Sequence, residues 1–310
     1  MTLYELSYAT PDDPLAKRLL VRMIENMSGR RRLLPIYREW SAEIANKDPL
    51  MWSGLLDMIE TRVEVKAAPD WQLRIPAGPL VLIANHPFGI ADGIAALALA
   101  ERLGRPYRIL VNADFMRVPE IQRLGLPVDF KETREALATN LATRAEARRL
   151  LKVGVTIVIF PAGGVATAET PFGTAEELPW KQFVVRLIQQ SEAAVLPVHF
   201  EGQNSPLFHF VSRYSLTLRL ALLVSEFRHR VGATIKASIG EPVTSAALAA
   251  DRHALIDALY LAVHRLAPGA ADLDSTTLLP RPIQHRRHYP WDPPRGAASR
   301  QARSVKSEES

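Results

Sequence analysis

Cysteine is absent from the 310 residues, which excludes disulfides, thiol nucleophiles and thiolate metal sites and fits a reducing compartment. Long apolar runs are absent too. No window supplies the ~18–20 uninterrupted apolar residues that a spanning helix needs, so any membrane association is expected to be peripheral. Met1 to Pro14 has neither a basic start nor an apolar stretch, and no secretory leader is expected. Missing as well are a zinc-ligand cluster, a Walker loop, a dinucleotide fingerprint and any fixed-period repeat. Aromatics are scarce, at 7%, and the basic residues do not interleave with them along one stripe, which argues against nucleic-acid binding.

What is present is ordinary for a folded chain: 47% hydrophobic and 23% charged residues. The net charge of +5 favours anionic partners such as a phospholipid surface or an acidic carrier protein. The length suits one large α/β domain or two small ones. Three parts are expected: an N-terminal helical subdomain over 1–60, an α/β domain over 61–267, and a Pro/Arg-rich tail over 268–310 that cannot bury enough apolar surface to order itself.

One stretch organises the rest. Leu80 to Ala84 is a short apolar run that reads as a strand buried on both faces. Asn85-His86-Pro87 breaks it, Gly89 gives a turn, and Asp92 precedes an Ala/Leu-rich helix near whose N-cap it stands. A histidine and a carboxylate thus leave the end of a core strand together. A neutral imidazole, with its usual pKa near ~6.5, can take a proton from a hydroxyl while a carboxylate fixes its tautomer. Asp92 as a plain helix cap and His86 as a plain loop residue remain the alternative.

Helices are expected over Pro14–Met27, from Leu33 to before Asp48, over Leu50–Ile59, Thr133–Leu151, Lys181–Gln190 and Ser245–Leu266. The first three could rest on a bilayer or simply pack on the main domain. Strands are expected around Val63 and Val65, Leu73 and Ile75, and over Tyr107–Val111, Val155–Phe160, Ala193–Phe200 and Val231–Ile239. The apolar stretch Leu207–Phe227, broken by Arg213 and Arg219, suits an interfacial helix with guanidinium groups at headgroup level, or a helix on an acyl channel. His199, His209, His229, His253 and His264 are scattered and read as surface or loop residues.

Asn85-His86-Pro87 with Asp92-Gly93 resembles the first motif of the glycerolipid acyltransferase superfamily, the lysophosphatidate acyltransferase relatives, which use His and Asp to acylate a lipid hydroxyl. Five residues separate His86 from Asp92 where four are usual. That longer form is similar to a bacterial haemolysin-labelled branch that includes ornithine-lipid acyltransferases. Gly125 to Lys131 loosely resembles the second block, with Lys131 where an Arg binds the acceptor's phosphate. Phe160-Pro161-Ala162-Gly163-Gly164 resembles the third block, but Ala162 replaces its Glu, and the grounds for a glycerol 3-phosphate or lysophosphatidate acceptor go with it. Val195-Leu196-Pro197-Val198 resembles the fourth, and the following Glu201 and Asn204 are expected near the site.

The resemblance implies an α/β fold, a mostly parallel sheet flanked by helices. It implies acyl transfer from acyl carrier protein or acyl-CoA, as co-substrate, to the hydroxyl of a lysolipid, with His86 and Asp92 catalytic and no other cofactor or metal. Asn85, Gly89, Lys131, Phe160, Pro161, Gly163, Gly164, Glu201 and Asn204 are the expected substrate-binding residues, with backbone amides near Gly163 and Gly164 as oxyanion donors. A cytoplasmic protein at the inner membrane face is expected. A non-catalytic lipid-surface protein and an acyl hydrolase are the alternatives.

Overall fold

The computed structural model describes residues 29–279 except 46, 132, 215 and 245–250, together with Leu15, Leu19 and Met23. Two helices open this span, α1 (Arg30–Glu43) and α2 (Met51–Met58), followed by β1 (Arg62–Lys66) and β2 (Leu80–Ala84). Then come α3 (Ile90–Glu101), β3 (Tyr107–Asn112), α4 (Pro119–Leu124), β4 (Gly125–Val128), α5 (Arg134–Lys152) and β5 (Thr156–Ile159). The remainder is α6 (Gln182–Ser191), β6 (Ala194–Phe200), α7 (Pro206–Ser212), α8 (Leu216–Arg228), β7 (Thr234–Ile239), α9 (Arg252–His264) and α10 (Ser275–Leu278).

The strands form one seven-stranded sheet in the order β1-β7-β6-β2-β5-β3-β4. Only the β6–β7 pairing is antiparallel; the other five are parallel. The expected α/β fold with a mostly parallel sheet is therefore what the chain adopts. β2 lies at the centre, and every one of its side chains is buried. Its alternation divides the core: Leu80, Leu82 and Ala84 join the helices α2 and α3 on one face, whereas Val81 and Ile83 join α5, α6 and α9 on the other.

The N-terminal helices pack into this core. Trp40 and Trp52 pack as a tilted pair with ring centroids 5.2 Å apart, and Trp40 and Leu55 share a cluster with β2 and α3. The buried Glu101 at the end of α3 accepts the backbone N–H groups of Trp52 and Ser53, satisfying the start of α2 with a carboxylate at the positive end of its dipole.

Three local expectations differ from the structure. Trp71–Arg74 is a 3-10 turn, not an extended piece: Trp71 turns inward, while Leu73 and Arg74 lie exposed. Leu207–Phe227 is two helices, α7 and α8, because the chain turns at Arg213 and Tyr214. Arg219 lies buried inside and not at a surface, because Val165 and Thr167 offer its guanidinium oxygen acceptors. The expected helix Pro14–Met27 lies outside the described residues apart from Leu15, Leu19 and Met23, which are helical and exposed. The expected start of the Ser245 helix and the tail from 280 onward also lie outside them. Among the described residues no helix is long and apolar enough to cross a membrane.

Candidate active site

After β2 the chain crosses through α3 to β3 on one side, and after β5 it crosses to β6 on the other. Such a reversal opens a crevice at the carboxyl ends of the strands. Asn85 and His86 stand at the end of β2 and Phe160 at the end of β5. Asn85 fixes the spot: its Nδ2 donates to the Phe200 carbonyl at 2.9 Å, and its Oδ1 accepts the Phe200 N–H at 2.7 Å. This side chain acts as one more rung between β2 and β6, so its polar atoms face the scaffold.

Gly89 begins α3 with φ +93, and a Cβ there would lie 3.0 Å from Leu223 and 3.1 Å from Val165. Only glycine meets both conditions without strain. The turn brings Asp92 back toward His86. Fully buried in the first turn of α3, Asp92 accepts the Phe88 N–H through Oδ2 at 2.8 Å and places Oδ1 3.1 Å from His86 Nδ1. It anchors the turn before α3 and faces the imidazole at once. The approach to Nδ1 is out of line, and neither Nδ1 nor Oδ1 has a well-formed hydrogen bond among the described residues. Such contacts commonly tighten when substrate binds.

The His86 ring stacks on Phe160, with centroids 4.2 Å apart and planes at 27°. Its Nδ1 is buried while the side chain keeps 17% of its surface open, so the accessible edge is the one away from Asp92. The buried carboxylate and the accessible nitrogen thus lie on opposite sides of the ring.

The loop after β5 supplies the rest. Ala162 is fully buried, so a carboxylate in its place would have to be desolvated there. Gly163 has φ +69, and its N–H returns to the Phe160 carbonyl at 3.0 Å. That turn occupies the Gly163 amide. The Gly164 N–H has no partner among the described residues. Buried Arg219 from α8 braces this loop, donating to Thr167 Oγ1 at 2.7 Å and to the Val165 carbonyl.

Lys131 is exposed, and Asp129 holds its backbone N–H at 3.0 Å. Phe130 beside it packs against Gly163, so the β4 loop does adjoin the site. The lysine that approaches the Gly163 turn is Lys181, whose Cε would lie 4.0 Å from a Cβ there. Pro161 holds that segment by accepting the Lys181 N–H at 3.0 Å. Glu201 is half-buried at the end of β6, its N–H bonded to the Lys236 carbonyl. Asn204 is buried and donates to the Phe88 carbonyl at 3.3 Å. Arg230, which the sequence did not single out, lies 3.9 Å over the Phe88 ring and donates to the Gln203 carbonyl. A separate polar cleft of about 520 Å³, lined by Asp57, Glu60, Thr61, Arg62, Gly232, Ala233 and Thr234, opens beside the β1–β7 edge and holds none of these residues.

A family model described as an acyltransferase matches residues 67–256. The chain belongs to that acyltransferase family. Every block of the sequence resemblance, from Asn85 to Val198, falls within the matched span. Two lyso-glycine lipid O-acyltransferases, of Phocaeicola vulgatus and Bacteroides thetaiotaomicron, are each 25% identical to the chain over 206 and 203 residues. The alignments cover 61% of this chain and 66% and 68% of those relatives, about two thirds of their length. Among solved structures, the 1-acyl-sn-glycerophosphate acyltransferase of Thermotoga maritima is similar at 17% identity and a TM-score of 0.43, with 83% of each chain covered.

Behind His86 this family member carries a buried cluster that the sequence reading assigned to the surface. His199 and His264 face each other at 5.9 Å, and Tyr260 stacks on His264 at 3.8 Å. Burial lowers the pKa of both histidines to about 4, and raises that of Glu177 to about 7 against the bonds from Trp180 and His86. A histidine with a depressed folded pKa contributes stability that is present above ~6.5 and lost as pH falls through 4. Glu177, raised, contributes in the opposite sense, losing stability as pH rises from its ordinary range through 7. Two histidine protons against one carboxyl proton leave a net of one. The cluster's contribution is expected to fall by ~1 kcal/mol per pH unit between pH 6.5 and 4. Urea unfolding midpoints at pH 7 and pH 5 check the sign: a higher midpoint at pH 5 contradicts it.

Proposed function

We propose that this acyltransferase family member moves a fatty acyl group from a thioester, acyl carrier protein or acyl-CoA, to the hydroxyl of a lysolipid. His86 is the general base and Asp92 its orienting partner. The observation that carries this reading is the 3.1 Å approach of His86 Nδ1 to Asp92 Oδ1 with the opposite ring edge open. A carboxylate on Nδ1 keeps the proton there, and Nε2 is left with the lone pair. The acceptor oxygen attacks the thioester carbonyl as its proton passes to Nε2. The tetrahedral carbon then expels the thiolate, which receives that proton. A backbone amide of the loop at Gly163 and Gly164, that of Gly164 first, is the proposed donor to the oxyanion.

The acceptor is a lysolipid with an amino-acid head. The relatives' activity toward lyso-glycine lipid supports this class. So does Ala162, which lacks the carboxylate that the glycerol phosphate branch carries at this point. The protein acts from the inner face of the membrane. Leu207 and Phe210 on α7 and Tyr214 in the turn after it are exposed, and the first residues of α7 follow Asn204 and so adjoin the Phe88 turn. Leu15, Leu19 and Met23 add a second exposed apolar row at a four-residue spacing, and the chain's net charge is +5.

Purified protein given radiolabelled acyl carrier protein or acyl-CoA and a lyso-amino-acid lipid in mixed micelles is expected to yield labelled diacylated lipid. Label appearing only as free fatty acid reassigns the protein to hydrolysis. No transfer from either donor to any lysolipid removes the proposal.

A further inference from the structure

The motifs that carry the resemblance leave one carboxyl group without a task. Glu177 lies in the long loop between β5 and α6, and it is buried. The chain doubles back within this loop: Thr167 and Glu176 exchange backbone hydrogen bonds at 3.0 and 3.3 Å, as an isolated antiparallel bridge. The next pair outward is therefore Ala166 and Glu177, side by side. Both reach the same residue. The Ala166 N–H donates to the His86 carbonyl at 2.8 Å, and Glu177 Oε1 accepts the His86 N–H at 2.8 Å.

His86 thus has its two peptide groups held from one hairpin, while its ring is set by Asp92 and Phe160. The other oxygen of Glu177 is anchored in turn. Oε2 accepts the Trp180 Nε1–H at 3.0 Å and lies 3.4 Å from His264 Nε2. His264 Nδ1 lies 3.0 Å from the Tyr260 carbonyl, an oxygen that can only accept, so Nδ1 carries a hydrogen. A neutral ring then turns the Nε2 lone pair toward Glu177, and the contact is attractive only when the two groups share one further proton. Asp92, Tyr260 and His199 complete the ionisable surroundings.

The geometry points to Glu177 as a positioning residue for the general base, holding the His86 backbone through its N–H so that the ring edge keeps its distance from the acceptor hydroxyl. This rests on the reading of His86 as base. Misplacement of a catalytic group by about 1 Å costs on the order of 100-fold in rate, and a backbone anchored at both ends resists it.

Two substitutions separate this role from simple packing. Glu177→Met fills the volume without an acceptor. Glu177→Gln keeps a carbonyl for the His86 N–H and offers an NH₂ to His264 Nε2, giving up only the bond from Trp180 Nε1–H, which does not touch His86. In the transfer assay, Glu177→Met is expected to lower kcat by ~30- to 100-fold with KM for donor and acceptor within about threefold, and Glu177→Gln to stay within about fivefold of wild type. Wild-type kcat in Glu177→Met overturns the inference, as does equal loss in both variants. Should Glu177→Met not fold, a ~100-fold loss in Glu177→Gln alone overturns it, because that side chain still holds the amide. His86→Ala is measured alongside. If it retains turnover, the base reading fails and the positioning role with it; if it is inactive while Glu177→Met is not, only the positioning role fails.

Discussion

Replacing His86 by alanine is expected to lower kcat for acyl transfer by at least ~10³-fold while the protein stays folded and keeps its affinity for vesicles. A positioned general base contributes typically ~10² to 10⁴ in rate, and no other histidine, lysine or carboxylate contacts the Asp92 carboxylate among the described residues. The fold should tolerate the change. Its backbone bonds to Glu177 and Ala166 do not involve the ring, and the side chain is already 17% exposed. What is lost in stability is the stack on Phe160, of order 1 kcal/mol. Single-turnover transfer with either donor, a thermal melt and vesicle co-sedimentation form the test. Turnover within tenfold of wild type would sink the mechanism.

Asp92→Asn separates the two tasks of one carboxylate. In the wild type Oδ2 accepts the Phe88 N–H, and Oδ1 lies 3.1 Å from His86 Nδ1. Asparagine can still accept from Phe88 through its one carbonyl oxygen, so the turn into α3 stays anchored. Its NH₂ must then face His86 Nδ1. That donor requires a lone pair on Nδ1 and drives the ring proton to Nε2, the atom meant to receive the substrate's proton. The wrong tautomer is expected to reduce kcat by ~10³ to 10⁴, with the unfolding midpoint nearly unchanged. Asp92→Ala, by contrast, should also leave the buried Phe88 N–H without its acceptor and lose about 1–3 kcal/mol of stability. If Asp92 served that amide alone, the asparagine variant would be active, and a near-wild-type kcat would establish that.

Short-range physics made part of the fold legible. The strand Leu80–Ala84 was readable to the residue because five consecutive apolar side chains, bounded by Gly78-Pro79 and Asn85-His86-Pro87, satisfy only a position buried on both faces. The helix from Arg134 was equally clear, since Thr133 caps it by accepting the Ala136 N–H. The segment at Leu73 misled because alternation over three residues cannot tell a strand from a short turn. Arg219 misled for another reason: a charge in an apolar run marks either a surface or a buried network, and only its acceptors decide which. Glu177 gave no signal at all. It stands 91 residues from the amide it binds, in a loop whose doubling back depends on two backbone bonds.

The order of residues by itself determined a parallel-sheet core, its central strand, and the pairing of an imidazole with a carboxylate one helical turn into the next element. Local periodicity and a glycine-governed turn act over a few residues, so they survive in the sequence. Tertiary structure alone decided that Asp92 serves the Phe88 amide and the imidazole together, that the Gly163 amide is closed into a turn, and that the buried acid beside His86 comes from Glu177. Each depends on which oxygen lies within about 3 Å of which N–H, and those distances exist only once the sheet has brought distant segments side by side.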